Sequence, residues 1–579
     1  MLFSAERAAV GGDAWLRVGA MRLQGVVAAG DAPGTFTELV DHTSGHQRLE
    51  VHTGPLREFS GFDGQPWVAQ NGIVTPIDLP GLVADAQTQA FEARDGWWLA
   101  SDAAGMRLLA PQQDAGGTSD VVEVTPVHGS PVDVWLDRRT HLIRRTVAHI
   151  DGGKLTTSYE DWRSVGEVRL PFRRVETDPT GESTIYEVRS AAVTASINPL
   201  ALARPQPQPH GVLAGGTATS VSFLFDGFDH GHIVVPAKVD GEPVTLIFDT
   251  GAANYFTPAK AKRLGLVTGG GVNVAGVAGG GGGGGFAHSR EIAIGAAVLK
   301  DEAVIVGPLP YVATHPRAGM DVDGLTGYEF LAEFRTTIDY AARTLSFAAF
   351  EMPAPRAGRT LRFLSDEHDI YVEATIDGAT GLFRLDTGDR GGITVFRTFA
   401  DAHGLFQTGG SAGIEAGGVG GALKTREFVA KALTLAGLTL ADPPVTVSEA
   451  SSGSFASRTL AGNLGSGVLG RYRITFDYRA RTLTFLPGPD AHRSFAENRT
   501  DLSLTQSGPN QLQVLAVTPN SPAAAAGILP GDSVTEVDGA AVGEHRIGVF
   551  DLYRLLAADQ AFTLTIVRGG ATHRVRVMR

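Results

Sequence analysis

Cysteine is absent from all 579 residues of the chain. The absence excludes disulfides, thiol nucleophiles, cysteine-ligated metals and a lipidated N-terminal cysteine. No apolar run approaches the roughly 18 residues that a membrane-spanning helix requires, so we expect no transmembrane segment. The N-terminal stretch MLFSAERAAVGG contains no apolar core of a signal peptide. Two compartments therefore stay open: an exported protein trimmed to its mature form, or a cytoplasmic one.

Basic residues are scarce relative to acidic ones. The chain holds 49 lysines and arginines against 62 aspartates and glutamates, a net charge of -13. A nucleic-acid-binding protein needs clustered positive charge against phosphates, so this class is excluded and no nucleic-acid partner is expected. Hydrophobic residues make up 43% and charged residues 19%, the proportions of a globular protein. The length predicts about three to five domains.

Tryptophan is missing from most of the chain. All six tryptophans lie before residue 200, which indicates a separate N-terminal domain. Alternating segments there, such as VDVWLDR at 132–138, predict antiparallel strands. The proline-rich stretch PLALARPQPQPHG at 199–211 is expected to be extended. We therefore place a mainly-β domain at 1–198 and a linker at 199–218.

The chain from about residue 219 onward repeats itself. IDYAARTLSF at 338–347 recurs as FDYRARTLTF 138 residues later, and GLTG at 324–327 recurs as GNLG at the same offset. FDTG at 248–251 recurs as LDTG 137 residues later. Three landmarks in one order, separated by a single one-residue slip, indicate an internal duplication. We place the units and a further domain as follows: unit 1 at 219–353, unit 2 at 354–490 and the last domain at 491–579.

Each unit places Asp-Thr-Gly at the end of an apolar strand, VTLIF at 244–248 and GLFRL at 381–385. The glycine lacks Cβ and lets backbone N–H groups approach a carboxylate, and the threonine hydroxyl can donate to a partner unit. Two carboxylates that face one water cannot both ionise, so one acts as base and the other as acid. One such triplet is typical of a turn, but two in a duplicated frame predict a shared site at Asp249 and Asp386.

The order FDTG, GLTG, IDY in unit 1 resembles bacterial retropepsin-type aspartic proteases, and LDTG, GNLG, FDY repeats it in unit 2. Two units in one chain resemble the pepsin arrangement, in which each half supplies one aspartate. The resemblance implies hydrolysis of a peptide or protein substrate by an activated water, without a cofactor. It also implies the roles of six residues: Asp249 and Asp386 as the catalytic dyad, Thr250 and Thr387 as its brace, and Gly251 and Gly388 beneath it.

The residue after each triplet departs from the pepsin pattern, which usually has a serine or threonine that donates to the carboxylate. Ala252 lacks this hydroxyl, so we expect a higher dyad pKa and a milder acid optimum than in pepsin-like pairs. Asp389 would disfavour ionisation of the dyad unless Arg390 or another cation pairs with it. The alternative is that Asp389 braces the following turn. We favour this interpretation, with Asp389 outside the chemistry.

Glycine-rich segments lie at 274–288 and 409–424, after the two triplets. The first is no phosphate-binding loop, because no Gly-Lys-Ser/Thr follows it. Each occupies the place where aspartic proteases carry the β-hairpin flap over the substrate, and a flap needs mobility and close backbone approach. A plain surface loop is the open alternative. The candidate flap residues are Gly276, Gly279, Gly280, Gly417 and Gly418.

Two histidines in DHGHI at 229–233 are possible metal ligands on one strand face. No third ligand stands out in the sequence. We therefore interpret both as ordinary surface residues and expect no metal site.

The segment NSPAAAAGILPGDSVTEVDG at 520–539 resembles the core of bacterial PDZ domains. The resemblance implies that a peptide C-terminus or extended segment pairs beside the strand QLQVLAV at 511–517, against a helix near 549–557. Its carboxylate-binding loop would hold Asn510, Gln511 and Leu512. A structural cap is the alternative.

The N-terminal domain is similar to the half-open β-barrels of periplasmic lipoprotein carriers. The similarity rests on VDVWLDRRTHLIRRT at 132–146 and YEDWRSVGEVRLPF at 159–172. Aromatic side chains inside such a barrel line either a pocket or an ordinary core. The similarity favours an exported, periplasmic bacterial protein.

These resemblances together predict a mainly-β chain with three parts: an antiparallel half-barrel, a pseudo-twofold aspartic protease fold and a PDZ domain. The leading hypothesis is an aspartic endopeptidase whose PDZ domain recruits or positions substrate. The second is a non-catalytic peptide-binding protein with the same fold and a dyad disabled by Asp389. A third, a site formed between two chains, is unnecessary because the chain carries a second LDTG.

Overall fold

The computed structural model describes residues 2–29, 32–99, 103–227, 231–273, 283–405, 411–416, 422–450, 453–495, 502–506, 508–543, 547–557 and 561–578. Strands make up 51% and helices 14%, which confirms the mainly-β class. Among these residues no helix is long and apolar enough to cross a membrane.

One antiparallel sheet occupies the N-terminal part of the chain, as the alternating segments predicted. Its path runs from β6 through β5, β4, β3 and β2 to β1, then from β14 down to β9 and β7, with β8 paired to β9. The strands are β1 (Ala20–Ala29), β2 (Ala32–Asp41), β3 (Gln47–Thr53), β4 (Leu56–Phe62), β5 (Pro66–Gln70), β6 (Ile73–Pro76), β7 (Ala103–Leu108), β8 (Gln112–Asp114), β9 (Gly117–Pro126), β10 (Val132–Asp137), β11 (Ile143–Ala148), β12 (Leu155–Val165), β13 (Val168–Thr177) and β14 (Ser183–Thr194).

Two helices, α1 (Leu2–Ala9) and α2 (Pro80–Ala93), accompany this sheet, with 3-10 turns at Gly12–Arg17, Gly96–Trp98 and Pro199–Ala201. Strand β10 shows why the sheet has a packed face. Its residues alternate between buried and half-buried, and Val134 packs in one cluster with Phe91 and Trp97. Trp97 therefore contributes to an ordinary core.

Unit 1 builds a nine-stranded sheet in the order β15, β23, β20, β24, β19, β18, β22, β21, with β17 paired to β18. The strands of unit 1 are β15 (Gly211–Leu213), β16 (Ala218–Ser222), β17 (Leu224–Phe225), β18 (Ile233–Val239), β19 (Glu242–Asp249), β20 (Tyr255–Phe256), β21 (Gly269–Asn273), β22 (Gly283–Ile294), β23 (Ala297–Val306), β24 (Gly324–Gly327), β25 (Arg335–Asp339) and β26 (Thr344–Ala348). Of these, β16, β25 and β26 lie in a separate sheet. The helices of unit 1 are α3 (Pro258–Arg263), α4 (Tyr311–Thr314) and α5 (Tyr328–Glu333).

Unit 2 repeats this plan in a ten-stranded sheet of order β32, β33, β36, β31, β37, β30, β29, β34, β35, with β28 paired to β29. The strands of unit 2 are β27 (Arg359–Arg362), β28 (Leu364–Ser365), β29 (Ile370–Ile376), β30 (Ala379–Leu385), β31 (Ile393–Phe396), β32 (Ser411–Ala416), β33 (Ala422–Val429), β34 (Ala432–Leu435), β35 (Leu438–Ala441), β36 (Pro444–Ser448), β37 (Gly462–Leu464), β38 (Tyr472–Asp477) and β39 (Thr482–Pro487). Of these, β27, β38 and β39 lie in the separate sheet. Helices α6 (Arg397–His403) and α7 (Ser466–Leu469) and a 3-10 turn at Ser454–Ala456 complete unit 2.

A six-stranded sheet joins the two units. It takes β16, β26 and β25 from unit 1 and β38, β39 and β27 from unit 2. At its centre β25 pairs antiparallel with β38, and Ile338 lies opposite Ile474. One hydrophobic cluster runs through both units and includes Phe248 and Leu385, the residues just before the two triplets.

The N-terminal sheet contacts unit 1 through polar side chains. Asn71, in the turn after β5, donates from Nδ2 to Glu302 Oε2 at 3.0 Å. His210, near the end of the proline-rich stretch, forms ion pairs with Glu302 and Glu333. Both glutamates belong to unit 1, so this cluster fixes the linker to it.

The C-terminal sheet has the order β40, β41, β42, β44, β45, with β43 paired to β42. Its strands are β40 (Leu502–Gln506), β41 (Leu512–Val517), β42 (Ser533–Val537), β43 (Ala540–Ala541), β44 (Phe562–Arg568) and β45 (Ala571–Val577), and its helices are α8 (Pro522–Ala525) and α9 (Val549–Ala557). Ser521 caps α8 by accepting from the Ala524 backbone N–H at 3.2 Å. This explains the SPA segment as a helix start.

Candidate active site

Strands β19 and β30 carry the two Asp-Thr-Gly triplets at their carboxyl ends. Each pairs in parallel with the strand of the downstream glycine motif, β19 with β24 and β30 with β37. Asp249 lies opposite Gly327, and a Cβ added to Gly327 would lie 2.6 Å from the carbonyl carbon of Asp249. The glycine is therefore required by the close approach of the two strands.

The two threonines brace the triplets against each other. Thr250 Oγ1 donates to the Leu385 carbonyl at 3.0 Å and accepts from the Thr387 backbone N–H at 3.2 Å. Thr387 Oγ1 donates to the Phe248 carbonyl at 3.1 Å and accepts from the Thr250 backbone N–H at 2.9 Å. Both threonines are fully buried, so these four reciprocal bonds join unit 1 to unit 2 away from water.

The carboxyl group of Asp249 lies over the opposite triplet. A Cβ added to Gly388 would lie 2.5 Å from Cγ of Asp249. The backbone N–H of Gly251 donates to Asp249 Oδ1 at 3.0 Å. Burial, and next the negative charge of Asp386, raise the pKa of Asp249 to about 8. Since Gly388 follows Asp386 by two residues, the two triplets bring the predicted aspartates together.

Asp386 has a more polar surrounding. Its Oδ2 accepts from Asn463 Nδ2 at 3.2 Å and lies 3.6 Å from Nη2 of Arg384. Burial raises the pKa of Asp386, and the positive charge of Arg384 opposes that rise.

Asp389 braces the turn that follows it, as expected, because its Oδ1 accepts from the Gly391 backbone N–H at 2.6 Å. It does not lie outside the dyad network, however. Its Oδ2 accepts at 2.6 Å from Asn463 Nδ2, which also donates to Asp386. Burial, followed by the charge of Asp386, raises the pKa of Asp389. Asp389 therefore both braces the turn and adds a third carboxyl group.

Arg390, a cation that could have paired with Asp389, pairs with a different aspartate. Its Nε donates to Asp226 Oδ2 at 2.8 Å. His232 lies on the same carboxylate, with Nδ1 at 2.9 Å from Oδ2. Burial acts to raise the pKa of Asp226, but the charges of His232 and Arg390 hold it well below its usual range.

His232 is not the surface histidine that its motif indicated. Its side chain is 12% exposed, and Nε2 lies 2.7 Å from the carbonyl oxygen of Gly388. At the repeat offset of 137 residues the counterpart of His232 is Asp369. A Cβ added to Gly251 would clash with Oδ1 of Asp369. Each unit thus places one polar side chain against the glycine of the other triplet. The repeat alignment already paired these two side chains, His232 and Asp369, as counterparts.

The second histidine of that motif, His230, lies outside the described residues. Within the described part of the chain, no group of three or more histidine, aspartate or glutamate side chains is arranged to hold a metal ion.

The candidate flap residues Gly276, Gly279, Gly280, Gly417 and Gly418 lie outside the described residues. The hairpins that lead to them are described, and each lies against a flanking sheet. Strand β21 pairs with β22 and contacts β1, β2 and β3, and a Cβ added to Gly54 would lie 2.5 Å from the carbonyl oxygen of Gly269. Strand β32 pairs with β33 and contacts β40 and β41.

Helix α9, which follows β43 of the C-terminal sheet, contacts the candidate active-site region. The Arg390 guanidinium lies over the Phe550 ring, 4.3 Å from its centroid. Asp551 Oδ2 accepts at 3.0 Å from the backbone N–H of Ala318 in unit 1. The C-terminal part therefore contacts the residue two positions after Gly388.

The placement of a peptide beside β41 is wrong. Strand β41 pairs with β40 on one side and β42 on the other, so it offers no open edge at Leu512, and Asn510 and Gln511 lie before the strand. Leu512 is fully buried in the local core. The strand next to α9 is β40, where the Leu504 backbone N–H donates to the Tyr553 hydroxyl at 2.8 Å. Alternating residues predicted the strands but could not show which one forms the edge.

Comparison with protein families identifies both kinds of module. Residues 235–330 and 372–472 match the family model described as aspartyl protease. Residues 513–568 match the family model of PDZ domains. The two resemblances predicted from the motifs are thereby confirmed.

A curated relative covers part of the chain. Over 153 residues this chain is 29% identical to DNA damage-inducible protein 1 of Phaeosphaeria nodorum, a match that covers 26% of this chain. The chain spans about a third (32%) of the length of that relative.

Solved structures of an aspartic proteinase and of a lipoprotein-sorting domain align with parts of the chain. The aspartic proteinase of Irpex lacteus is 14% identical, with 48% of this chain and 99% of that chain covered and a TM-score of 0.32. A putative outer membrane lipoprotein-sorting protein domain of Vibrio parahaemolyticus is 12% identical, with 35% and 94% covered and a TM-score of 0.26.

Proposed function

We propose that the protein is an aspartic endopeptidase in which a water held between Asp249 and Asp386 attacks a peptide carbonyl. The observation that carries the proposal is the position of the Asp249 carboxyl group over Gly388 of the opposite triplet. Two carboxyl groups that face one water share one proton, so one accepts a proton from the water while the other protonates the carbonyl oxygen. The same pair then returns a proton to the departing amine.

The threonine brace supports this chemistry because the two aspartates come from different units. Any sliding of unit 1 against unit 2 would separate their carboxyl groups, and small misplacements reduce rates steeply. The reciprocal bonds of Thr250 and Thr387 hold the triplets in register. Gly251 and Gly388 leave the space that the carboxyl groups and their polar neighbours occupy.

The substrate is proposed to be an extended peptide that lies between the two hairpins β21–β22 and β32–β33. The PDZ domain is proposed to recruit or position that substrate by binding an extended segment or a C-terminus along β40 and α9. We also propose export to the periplasm, on the resemblance of the N-terminal segments to periplasmic carriers.

A second candidate function is peptide binding without cleavage. Asp389 favours it, because a third carboxyl group that shares the Asn463 amide with Asp386 disfavours ionisation of the dyad. In this case the cleft and the PDZ domain would hold partners.

The two functions are separated by cleavage of a mixed peptide library across the acid to neutral range. Asp249→Asn and Asp386→Asn should each lower cleavage by about 10²–10⁴-fold, the usual contribution of a general acid or base. The matched control is Asp401→Asn on α6, whose side chain is 61% exposed, and it should cleave like wild type. Cleavage that survives in either dyad variant contradicts a shared site. Retention of peptides without cleavage by wild type supports the binding function.

A further inference from the structure

The residues beside the two triplets break the symmetry of the duplication. Ile247 and Leu325 of unit 1 pack in a small apolar cluster with Met320. At the repeat offsets of 137 and 138 residues their counterparts in unit 2 are Arg384 and Asn463. Both are buried, with Arg384 8% exposed and Asn463 fully buried. A buried cation costs free energy unless it is paired, so its partners identify its role.

Arg384 makes two hydrogen bonds and one longer ion pair to groups around the second aspartate. Its Nε donates to Asn463 Oδ1 at 2.8 Å, and its Nη1 donates to Asp369 Oδ2 at 3.1 Å. Its Nη2 lies 3.6 Å from Asp386 Oδ2. Because Asn463 Oδ1 accepts from Arg384, its Nδ2 must point to the carboxyl groups, where it donates to Asp386. One guanidinium thus supplies both a charge and an oriented donor.

In the part of the chain that the structure describes, Asp249 has a backbone donor but no side-chain amide and no ion pair of its own, and the charge of Arg384 is only a minor influence on it. Its Oδ1 accepts from the Gly251 backbone N–H, and within the described residues no lysine, arginine or histidine forms an ion pair with it. Asp369 packs on the same Gly251 from the other unit, and its negative charge acts on both aspartates, so the difference between them comes from Arg384 and Asn463. A neighbouring cation favours the charged form of a carboxyl group and a neighbouring anion disfavours it.

We propose that Arg384 is a positioning residue that fixes the dyad proton on Asp249, so that Asp386 is the base and Asp249 the acid. This inference rests on the proposed function. In the reaction Asp386 accepts a proton from the attacking water as the new C–O bond forms. Asp249 gives its proton to the carbonyl oxygen at the same time, so charge balances over the dyad.

Several other charged or titratable groups face Asp386, and they set the effect of removing Arg384. These are Asp249 at the end of β19, Asp369 before β29, Asp389 after β30, His232 before β18 and Tyr340 after β25. Three of the five are carboxyl groups. Without Arg384 they would leave Asp386 in a mainly negative surrounding, and proton binding there would become easier.

The first test is the pH profile of kcat/KM for Arg384→Met. We expect its acid limb to move to higher pH by about 1–3 units, the usual effect of losing a neighbouring opposite charge. Arg384→Lys keeps the charge and should stay closer to wild type. The matched control is Arg335→Met, which removes an arginine that is 9% exposed and bonded to Asp477 in the joining sheet. Arg335→Met should lower the stability of the protein and leave the acid limb of the kcat/KM profile at the wild-type pH.

A double variant keeps the test usable if Arg384→Met does not fold. Arg384→Ile with Asn463→Leu installs the apolar pair that unit 1 already packs at Ile247 and Leu325. It should fold and show the same upward shift of the acid limb. An acid limb that stays at the wild-type pH in Arg384→Met and in the double variant overturns the proposal.

The second test does not need turnover. An epoxide is opened by the oxygen of an ionised carboxyl group, which leaves an ester that peptide mass spectrometry can locate. We expect the ester on Asp386 in wild type and on both Asp386 and Asp249 in Arg384→Met. Equal labelling of both aspartates in wild type overturns the assignment. Labelling of Asp386 in a wild type that cleaves no peptide would refute the proposed function and still support the proton on Asp249.

Discussion

Replacing Thr387 by valine removes one hydroxyl from the brace while keeping the size of the side chain. The hydroxyl makes two bonds to unit 1, to the Phe248 carbonyl and from the Thr250 N–H. Both backbone groups are buried with it, so no water can replace the lost partner. Each orphaned group costs about 1–3 kcal/mol, which gives a loss of about 2–6 kcal/mol for the variant.

The loss can be measured as a lower urea midpoint in far-ultraviolet circular dichroism of the full chain. All six tryptophans lie before residue 200, so their fluorescence reports on the N-terminal sheet. We expect the Thr387→Val transition to move in the dichroism signal more than in the fluorescence signal. Cleavage should fall with it, because the brace holds the dyad in register.

Thr387→Ser is the matched control, because it keeps the hydroxyl and loses only a methyl group, worth about 1 kcal/mol. Thr250→Val should behave like Thr387→Val, since its hydroxyl makes the equivalent bonds to Leu385 and Thr387. If both valine variants lose less than the serine variant, the reciprocal bonds are not what joins the units.

Two further predictions concern the linker and the triplet glycine. Burial opposes the charge of His210, but Glu302 and Glu333 raise its pKa from 6.5 to about 9. The destabilisation by His210→Gln should therefore be full below about pH 6.5, on the order of 3 kcal/mol, and should disappear as the pH rises through 9. Urea unfolding at several pH values measures it, and a loss that grows above pH 9 would contradict this sign. Gly388→Ala would put a Cβ 2.5 Å from Cγ of Asp249, so cleavage should fall by about 10²-fold in a folded protein. Gly105→Ala, where no atom lies within 4 Å, should cleave like wild type, and full cleavage by Gly388→Ala would refute the close approach.

The duplication made much of the site predictable from the sequence. A fixed offset relates FDTG to LDTG, so Asp249 and Asp386 could be recognised as counterparts before any contact was known. The glycine motif of each unit follows from the same alignment. Its position beside the triplet depends on parallel pairing of β19 with β24, which the motif order indicated only through a family resemblance.

The polar neighbours of the dyad were harder to predict. Arg384 and Asn463 come together only when β30 pairs with β37, 79 positions apart along the chain. Local patterns show no such pair. A signal existed, however, because GLFRL places a charge inside an otherwise apolar strand, and the alignment sets that charge against Ile247. A buried charge in a duplicated strand is a reason to search for carboxyl groups around it.

The edge of the C-terminal sheet could not be predicted for a different reason. Periodicity gives the existence of a strand but carries no information on its neighbours in the sheet. β40 precedes β41 closely, and either strand could have faced α9. Only the pairing of β41 with β40 and with β42 excludes β41 as the edge strand beside α9.

The six-stranded sheet that fuses the two units has an evolutionary consequence. In a site assembled from two identical chains, every substitution appears twice, so an arginine beside one aspartate would stand beside the other as well. Tandem fusion through β25 and β38 ends that constraint and lets each half change independently. Arg384 opposite Ile247 is such a divergence. A gene duplication that began by copying an aspartate would then have allowed its two descendants to specialise, one toward holding the proton and one toward taking it.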